Sequence, residues 1–246
     1  MIEISGSDLK INDVWQVSQG AKVSLSEKAK EKILLSRSYI ENKISTGDAI
    51  YGVNTGFGAF SSVRITDSDI EKLQFNLIRS HSTGVGEPFT VAQTRAIMAL
   101  RANALATGHS GVRLEVIETI LEFMNQDVIP VIPQQGSVGA SGDLAPLSHL
   151  ALALIGEGEV WSDGKVAATD LVLKKKNIQP LVLKAKEGLS LINGCQVMTA
   201  VGLLATYESS RFAKLMDVAG AMSLEALQGS RKAFDPLIPA TRRHPG

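Results

Sequence analysis

Gly136-Ser137-Val138-Gly139-Ala140-Ser141-Gly142-Asp143-Leu144-Ala145-Pro146-Leu147 follows two prolines, Pro130 and Pro133, and leads into an apolar helical run at residues 147–155. Glycines at this density let backbone atoms approach in ways that bulkier residues forbid. At the centre stands Ala140-Ser141-Gly142. In a tight enough turn, the amide nitrogen of Gly142 can attack the carbonyl carbon of Ala140. Loss of two waters then leaves a five-membered imidazolone ring in which Ser141 has become an exocyclic methylene. None of the twenty side chains supplies such an electrophile. Gly142 has no Cβ to block the compressed geometry, Ser141 has a leaving hydroxyl on Cβ, and Ala140 is small enough to let the turn close. Asp143 is placed to cap the following helix and to handle protons during the dehydrations. Taken alone, the tripeptide reads as a plain Gly-rich turn; the longer string changes that reading.

Composition narrows the class. A chain of 246 residues can bury one large core or two small ones. With 44% apolar and 20% charged residues, it reads as soluble and globular rather than disordered. Twenty-five basic and twenty-five acidic residues cancel, which argues against a nucleic-acid partner. Lys174-Lys175-Lys176 reads as the solvated end of a helix. Cys195 is the single cysteine, so no intramolecular disulfide can form and a reducing compartment fits. The N-terminus shows no signal-peptide pattern, and the run at residues 147–155 is too short to span a bilayer. A cytoplasmic protein without a membrane partner is the default expectation.

The pattern along the chain is mainly helical. Residues 1–23 read as a small strand-and-turn opening. Ser24 and Glu27 have capping-box spacing ahead of a helix with Ala29, Ile33, Ile40 and Ile44 on one stripe, ending near Gly47. Tyr51-Gly52-Val53-Asn54-Thr55-Gly56-Phe57-Gly58 is a glycine-punctuated loop. Asp67 or Ser68 can cap a helix that ends at Ser80-His81, and Thr90 starts another that runs to Gly108. Residues 111–126 form a further amphipathic helix. Two prolines bar residues 128–133 from a sheet interior. Asp163-Gly164 marks a hairpin turn, and residues 169–177 a short helix. From 187 to 228 the sequence is mostly helical and rich in Ala, Leu, Met and Val, which suits a helix packed on all sides in a bundle. The expected division is residues 1–186 and 187–246. The chain stops inside loop-like residues 242–246, so it is expected to be the N-terminal portion of something longer.

The central string resembles the signature of the aromatic amino acid ammonia-lyases, whose prosthetic group is 4-methylidene-imidazol-5-one. Three further motifs resemble the same family, in the same order. Tyr51–Gly58 resembles the loop of its catalytic tyrosine, which implies proton transfer by Tyr51 near the ring. On its own, Tyr51 reads as a packed, half-buried tyrosine. Ser80-His81 resembles the pair found in histidine-specific members, which implies that both line the substrate pocket and that His81 contacts a substrate imidazole. On its own, His81 reads as a histidine stabilised by a helix C-terminus. Asn193-Gly194-Cys195-Gln196 resembles the Asn-Gly-x-Gln motif, in which the asparagine donates a hydrogen bond near the ring or the substrate carboxylate. By itself Asn-Gly is a turn, here interrupting a helical run. Cys195 fills the variable position and reads as a small buried side chain.

The resemblance implies a mainly α fold: a ring-bearing N-terminal region with minor β-hairpins leading into a long-helix bundle, as in ammonia-lyases and the fumarase–aspartase type. It implies elimination of ammonia from L-histidine to give urocanate. The self-derived ring on Ala140-Ser141-Gly142 would serve as the electrophile, with no external cofactor and no metal. The full-length form would be a homotetramer, and the remaining half of the family's chain would add a tyrosine, an arginine for the carboxylate, and phenylalanine and glutamate pocket residues. Such an elimination needs an electrophile to activate the amine, a base for the β-proton and a holder for the carboxylate. Tyrosine or phenylalanine ammonia-lyase, a 2,3-aminomutase, or a catalytically silent helical fragment stand as alternatives. A nucleotide-binding loop fits poorly, because the glycines are spaced Gly-x-x-Gly-x-x-Gly and no Gly-Lys-Ser/Thr follows.

Overall fold

The computed structural model describes residues 1–46, 50–56, 65–138 and 141–241, apart from the side chains of residues 67 and 68. Gly47, Phe57, Gly58, Gly139, Ala140 and residues 242–246 therefore lie outside the described residues. The chain is mainly α and forms two compact units, Met1–Leu204 and Ala205–Gly246. That division falls inside a long helix, whereas the sequence-based boundary lies at residue 187.

In the first unit, helix α4 (Val91–Ala106) is buried around most of its circumference, with Ala96, Ile97, Met98, Ala99, Ala102 and Leu105 at most 1% exposed. Thr90 caps it as expected, accepting from the Gln93 amide, while Gln93 Oε1 accepts from the Thr90 amide. Helices α1 (Ile11–Ser18) and α5 (Leu114–Asn125) pack on it. Buried Arg95 on α4 donates to the carbonyls of Val17, Ala21 and Met124 at 2.8–3.2 Å, tying the ends of α1 and α5 to α4.

The N-terminal expectation needs two corrections. Residues 1–23 contain α1 between strands β1 (Ile2–Ile4) and β2 (Val23–Leu25), which pair in parallel. The alternation of short apolar and polar residues hid a helix whose Val14 and Val17 lie one turn apart and are buried. Ser24 is then held in β2 opposite Glu3, so the chain stays extended for two more residues. Ser26, not Ser24, caps α2 (Glu27–Ser45) by accepting from the Ala29 amide at 3.1 Å.

Helices α3 (Asp67–His81), α6 (Leu144–Leu154) and α8 (Glu187–Ile192) pack together on the other side of the core. Thr66 occupies the cap position of α3. Strand β3 (Val85–Pro88) pairs antiparallel with β5 (Pro133–Gln135). Strand β4 (Ile129–Pro130) is the edge of a sheet with β6 (Glu159–Ser162) and β7 (Lys165–Ala168), so its proline is kept out of a sheet interior. Asp163 and Gly164 turn the β6–β7 hairpin with φ of 51° and 75°, the left-handed pair such a turn requires. Helix α7 (Thr169–Lys176) ends on Asn177 in the left-handed region.

Glu187, fully buried, anchors the start of α8. Its carboxylate accepts from Arg113 Nε, Nη2 and backbone N, and from the Lys184 amide, at 2.7–3.0 Å. Helix α9 (Gln196–Ala226) begins in this unit, where Val197 and Ala200 enter the core.

The second unit comprises the rest of α9, a 3-10 turn (Arg231–Phe234) and the short α10 (Leu237–Ala240). Phe212, Leu215, Met216, Val218 and Met222 of α9 stand exposed, so the helix expected to be packed on all sides is bare here. The stretch Glu187–Ala226 is long and apolar enough to cross a membrane by length and composition alone, although it contains no long unbroken apolar run. Burial of Leu191, Ile192, Val197 and Ala200 in the core accounts for its first part.

Glu187→Ala takes the buried carboxylate from Arg113, which keeps Glu115 and the Val182 carbonyl, and leaves the Arg113 and Lys184 amides without that acceptor. Urea unfolding is expected to show a loss of about 3–5 kcal/mol, the usual effect of breaking a buried ion pair from one side.

Candidate active site

The central loop leaves β5 through Gly136 and turns into α6 at Ser141–Asp143. Ser141 is exposed, while Gly142 is buried with φ of 91°. A Cβ on Gly142 would collide with the Gly194 carbonyl oxygen and lie 2.7 Å from its carbonyl carbon. Only glycine fits here, on both backbone and space. The next amide, Asp143 N–H, donates to that same carbonyl at 2.7 Å.

Asp143 is 2% exposed, and its side chain does not cap α6 as the sequence suggested. Oδ2 accepts from the amides of Val197 and Met198 at 2.9 and 3.0 Å, and Oδ1 from Ser137 Oγ at 2.9 Å. The carboxylate thus caps the first turn of α9, where a negative charge meets open amides at the positive end of a helix. Both oxygens are committed to holding the turn against α9.

The break between α8 and α9 carries Asn193-Gly194-Cys195. Asn193 ends α8, donates its backbone N–H to the Leu189 carbonyl at 3.0 Å and is exposed. Its side-chain amide makes no hydrogen bond to a described residue. Gly194 is tightly surrounded: a Cβ there would have to displace the side-chain ends of Arg101 and Gln196, at Nη1 and Oε1. Cys195 is exposed rather than buried.

Tyr51 is 56% exposed at the head of a turn closed by Val53 N–H to Ile50 O at 3.0 Å and by Ile50 N–H to buried Asn54 Oδ1 at 2.7 Å. Gly52, with φ of 72°, lies on α8: a Cβ there would be 2.5 Å from Leu189 Cδ2. The Tyr51 turn and Asn193 are therefore seated on the same short helix.

His81 is the last residue of α3. Its Nδ1 lies 2.9 Å from the Leu77 carbonyl, so Nδ1 is the donor in this contact. Exposed Ser80 donates its hydroxyl to the same carbonyl at 3.0 Å and sits 3.1 Å from His81 Nδ1. Beyond His81, the Gly84 amide donates to His149 Nε2 on α6 at 3.1 Å, and the β3–β5 pairing follows. A Cβ on Gly136 would lie 3.2 Å from Gly84 Cα, so the segment after His81 abuts the start of the central loop.

The structure thus brings Ser141-Gly142 and the Asn193 segment into direct backbone contact, seats Tyr51 on the same helix and ties the His81 segment to the loop. Among the described residues, no side-chain hydrogen bond joins Ser141, His81 and Asn193 to one another. Two residues that the sequence reading passed over complete the frame: Arg101 behind Gly194, and His149. A lone arginine inside Ala-Ile-Met-Ala-Leu-Arg-Ala-Asn-Ala-Leu was the visible signal for the first; His149 gave none.

Burial holds the His149 imidazole below the ordinary histidine value, and its role as acceptor from Gly84 needs the neutral ring. A depressed folded-state value means that this contribution is present above the unfolded value of about 6.5. It is lost as pH falls through the folded value. Unfolding measured at pH 7 and at pH 5 is expected to show an acid-side loss of stability that shrinks in His149→Gln.

The family model for aromatic amino acid lyases matches residues 9–246. The histidine ammonia-lyase of Myxococcus xanthus (strain DK1622) is 48% identical over 247 residues, covering 100% of this chain and 48% of that protein. Among solved structures, histidine ammonia-lyase from Trypanosoma cruzi is similar with a TM-score of 0.93 at 40% identity, covering 100% of this chain and 47% of that one. Tyrosine aminomutase from Streptomyces globisporus gives 0.86 at 39% identity, covering 92% and 42%. The chain spans about half the length of the curated relatives it matches.

Proposed function

The chain belongs to the aromatic amino acid lyase family, and on that premise we propose that it is the ring-bearing part of an ammonia-lyase converting L-histidine to urocanate and ammonia. The observation that carries this reading is the seam at Gly142. A left-handed glycine is pressed on a second backbone, with a serine beside it on the exposed side. Ala140 lies outside the described residues, but Ser141 and Gly142 fit a ring closed through the Gly142 nitrogen. The 4-methylidene-imidazol-5-one so formed supplies an electrophilic methylene and makes an external cofactor or metal unnecessary.

This chain's residues then have distinct tasks. Gly194 holds the Asp143 N–H and with it the turn. The unengaged side-chain amide of Asn193 donates toward the ring oxygen or the substrate carboxylate, where a fixed dipole stabilises developing charge. Tyr51 moves a proton near the ring. His81, its Nδ1–H held by Leu77, offers the Nε2 lone pair to the substrate imidazole N–H, and Ser80 borders the same pocket. Residues 1–186 form the ring-bearing region, and residues 187–246 begin the helical bundle of a homotetramer that covers the bare apolar side chains of α9. The amino-acid substrate, soluble surroundings and cytoplasmic location follow from the same reading.

Similarity to a tyrosine aminomutase at nearly equal identity favours a second reading, in which the substrate is tyrosine. The Ser80-His81 pair discriminates. In protein assembled to the relatives' full length, Ser141→Ala is expected to abolish urocanate release, followed by its ultraviolet absorbance, with the fold intact by circular dichroism. Retained turnover would rule out the ring mechanism. His81→Leu should lower histidine turnover about ten- to hundredfold, matching roughly 1–3 kcal/mol for a lost hydrogen bond, and should spare tyrosine. Equal losses on both would remove His81 from the pocket.

A further inference from the structure

Arg101 stands in the middle of α4, 3% exposed, and no carboxylate pairs with it among the described residues. Burial pushes its guanidinium down to about 10, which still leaves a cation at neutral pH. A buried, unneutralised charge is costly, and a leucine or methionine would fill the same space without that cost. The explanation has to lie in what the guanidinium holds. Nη2 donates to the Ser190 carbonyl in α8, and Nη1 donates to Gln196 Oε1, on the first residue of α9, at 2.6 Å. Nε is left without a partner, so the side chain is placed for its two terminal nitrogens. Residues 191–195 lie between the two anchor points and include Asn193 and Gly194. Nη1 lies directly against Gly194, whose carbonyl in turn accepts from Asp143 and abuts Gly142.

We propose that Arg101 is a positioning residue for the elimination: it clamps the end of α8 to the start of α9, and so sets the direction of Asn193 and the pressure of Gly194 on Gly142. The clamp is a matter of geometry; its link to chemistry rests on the ring-bearing reading above. A planar fork reaching two acceptors is a task that lysine cannot reproduce.

The test is amide hydrogen exchange, read by mass spectrometry on the 246-residue chain. In Arg101→Met, the amides of Asp143, Val197 and Met198 are expected to exchange on the order of tenfold faster, while peptides from α1 and α5 keep their protection. Gln196→Met, which keeps the cation and removes one arm, should show part of the same local loss, and Arg101→Lys an intermediate one. These two milder variants decide the matter if Arg101→Met does not fold. Unchanged protection at Asp143, Val197 and Met198 would overturn the proposal, as would faster exchange spread evenly over all helices. The intact mass, recorded in parallel, reports ring closure separately. An unmodified wild-type mass would count against the ring-bearing reading while the exchange data still judge the clamp.

Discussion

The Gly194 carbonyl occupies the space that a Cβ on Gly142 would need, and it accepts the N–H of the next residue. Much of the site follows from this one backbone contact. Gly142 cannot carry a side chain, and one on Gly194 would displace the ends of Arg101 and Gln196. A continuous helix from α8 into α9 would commit the Gly194 carbonyl to an intrahelical bond, so the chain breaks there to present it to Asp143. Breaking the helix opens a new N-terminus with unsatisfied amides, and the Asp143 carboxylate fills that need from the opposite strand of the seam. One aspartate therefore serves both sides: its backbone holds the turn and its side chain caps the helix.

The surrounding frame is built from buried charged groups, each with a separate solution to its desolvation. Arg95 gathers three carbonyls where helices end, and Glu187 gathers Arg113 and two amides where α8 begins. Arg101 takes a carbonyl and a side-chain amide but, among the described residues, no anion. Arg95 holds the ends of α1 and α5, and Glu187 the start of the helix that carries Asn193. Arg101 touches the seam itself, through Gly194. This difference separates a stapling arginine from one that sets the position of reacting groups.

Helical content, the Thr90 cap and the Asp-Gly hairpin were legible in the sequence, because each depends on residues within a few positions of one another. Parts that depend on distant partners were not. Ser24 and Glu27 have the spacing of a capping box, but pairing of β2 with β1 moved the cap to Ser26. Asp143 precedes α6 and so reads as its cap; its true partner is a helix that starts more than fifty residues later. Cys195 looked like a buried small residue in a helical run, yet it is exposed at the break between α8 and α9. Helix α1 is strongly amphipathic, but at eight residues it is short enough to read as part of a strand-and-turn opening. Arg101 carried a visible clue, a charge inside an apolar run, and only its contacts across two helix ends give that clue a meaning.

The claim on which the rest depends is that residues 140–142 close into a ring. Intact mass of the purified chain, followed by digestion, measures this directly. A mass lower than the sequence predicts by two waters, localised to Ala140-Ser141-Gly142, is the expected result. An unmodified mass with the peptide intact would contradict the account and leave the seam at Gly142 as a tight turn alone.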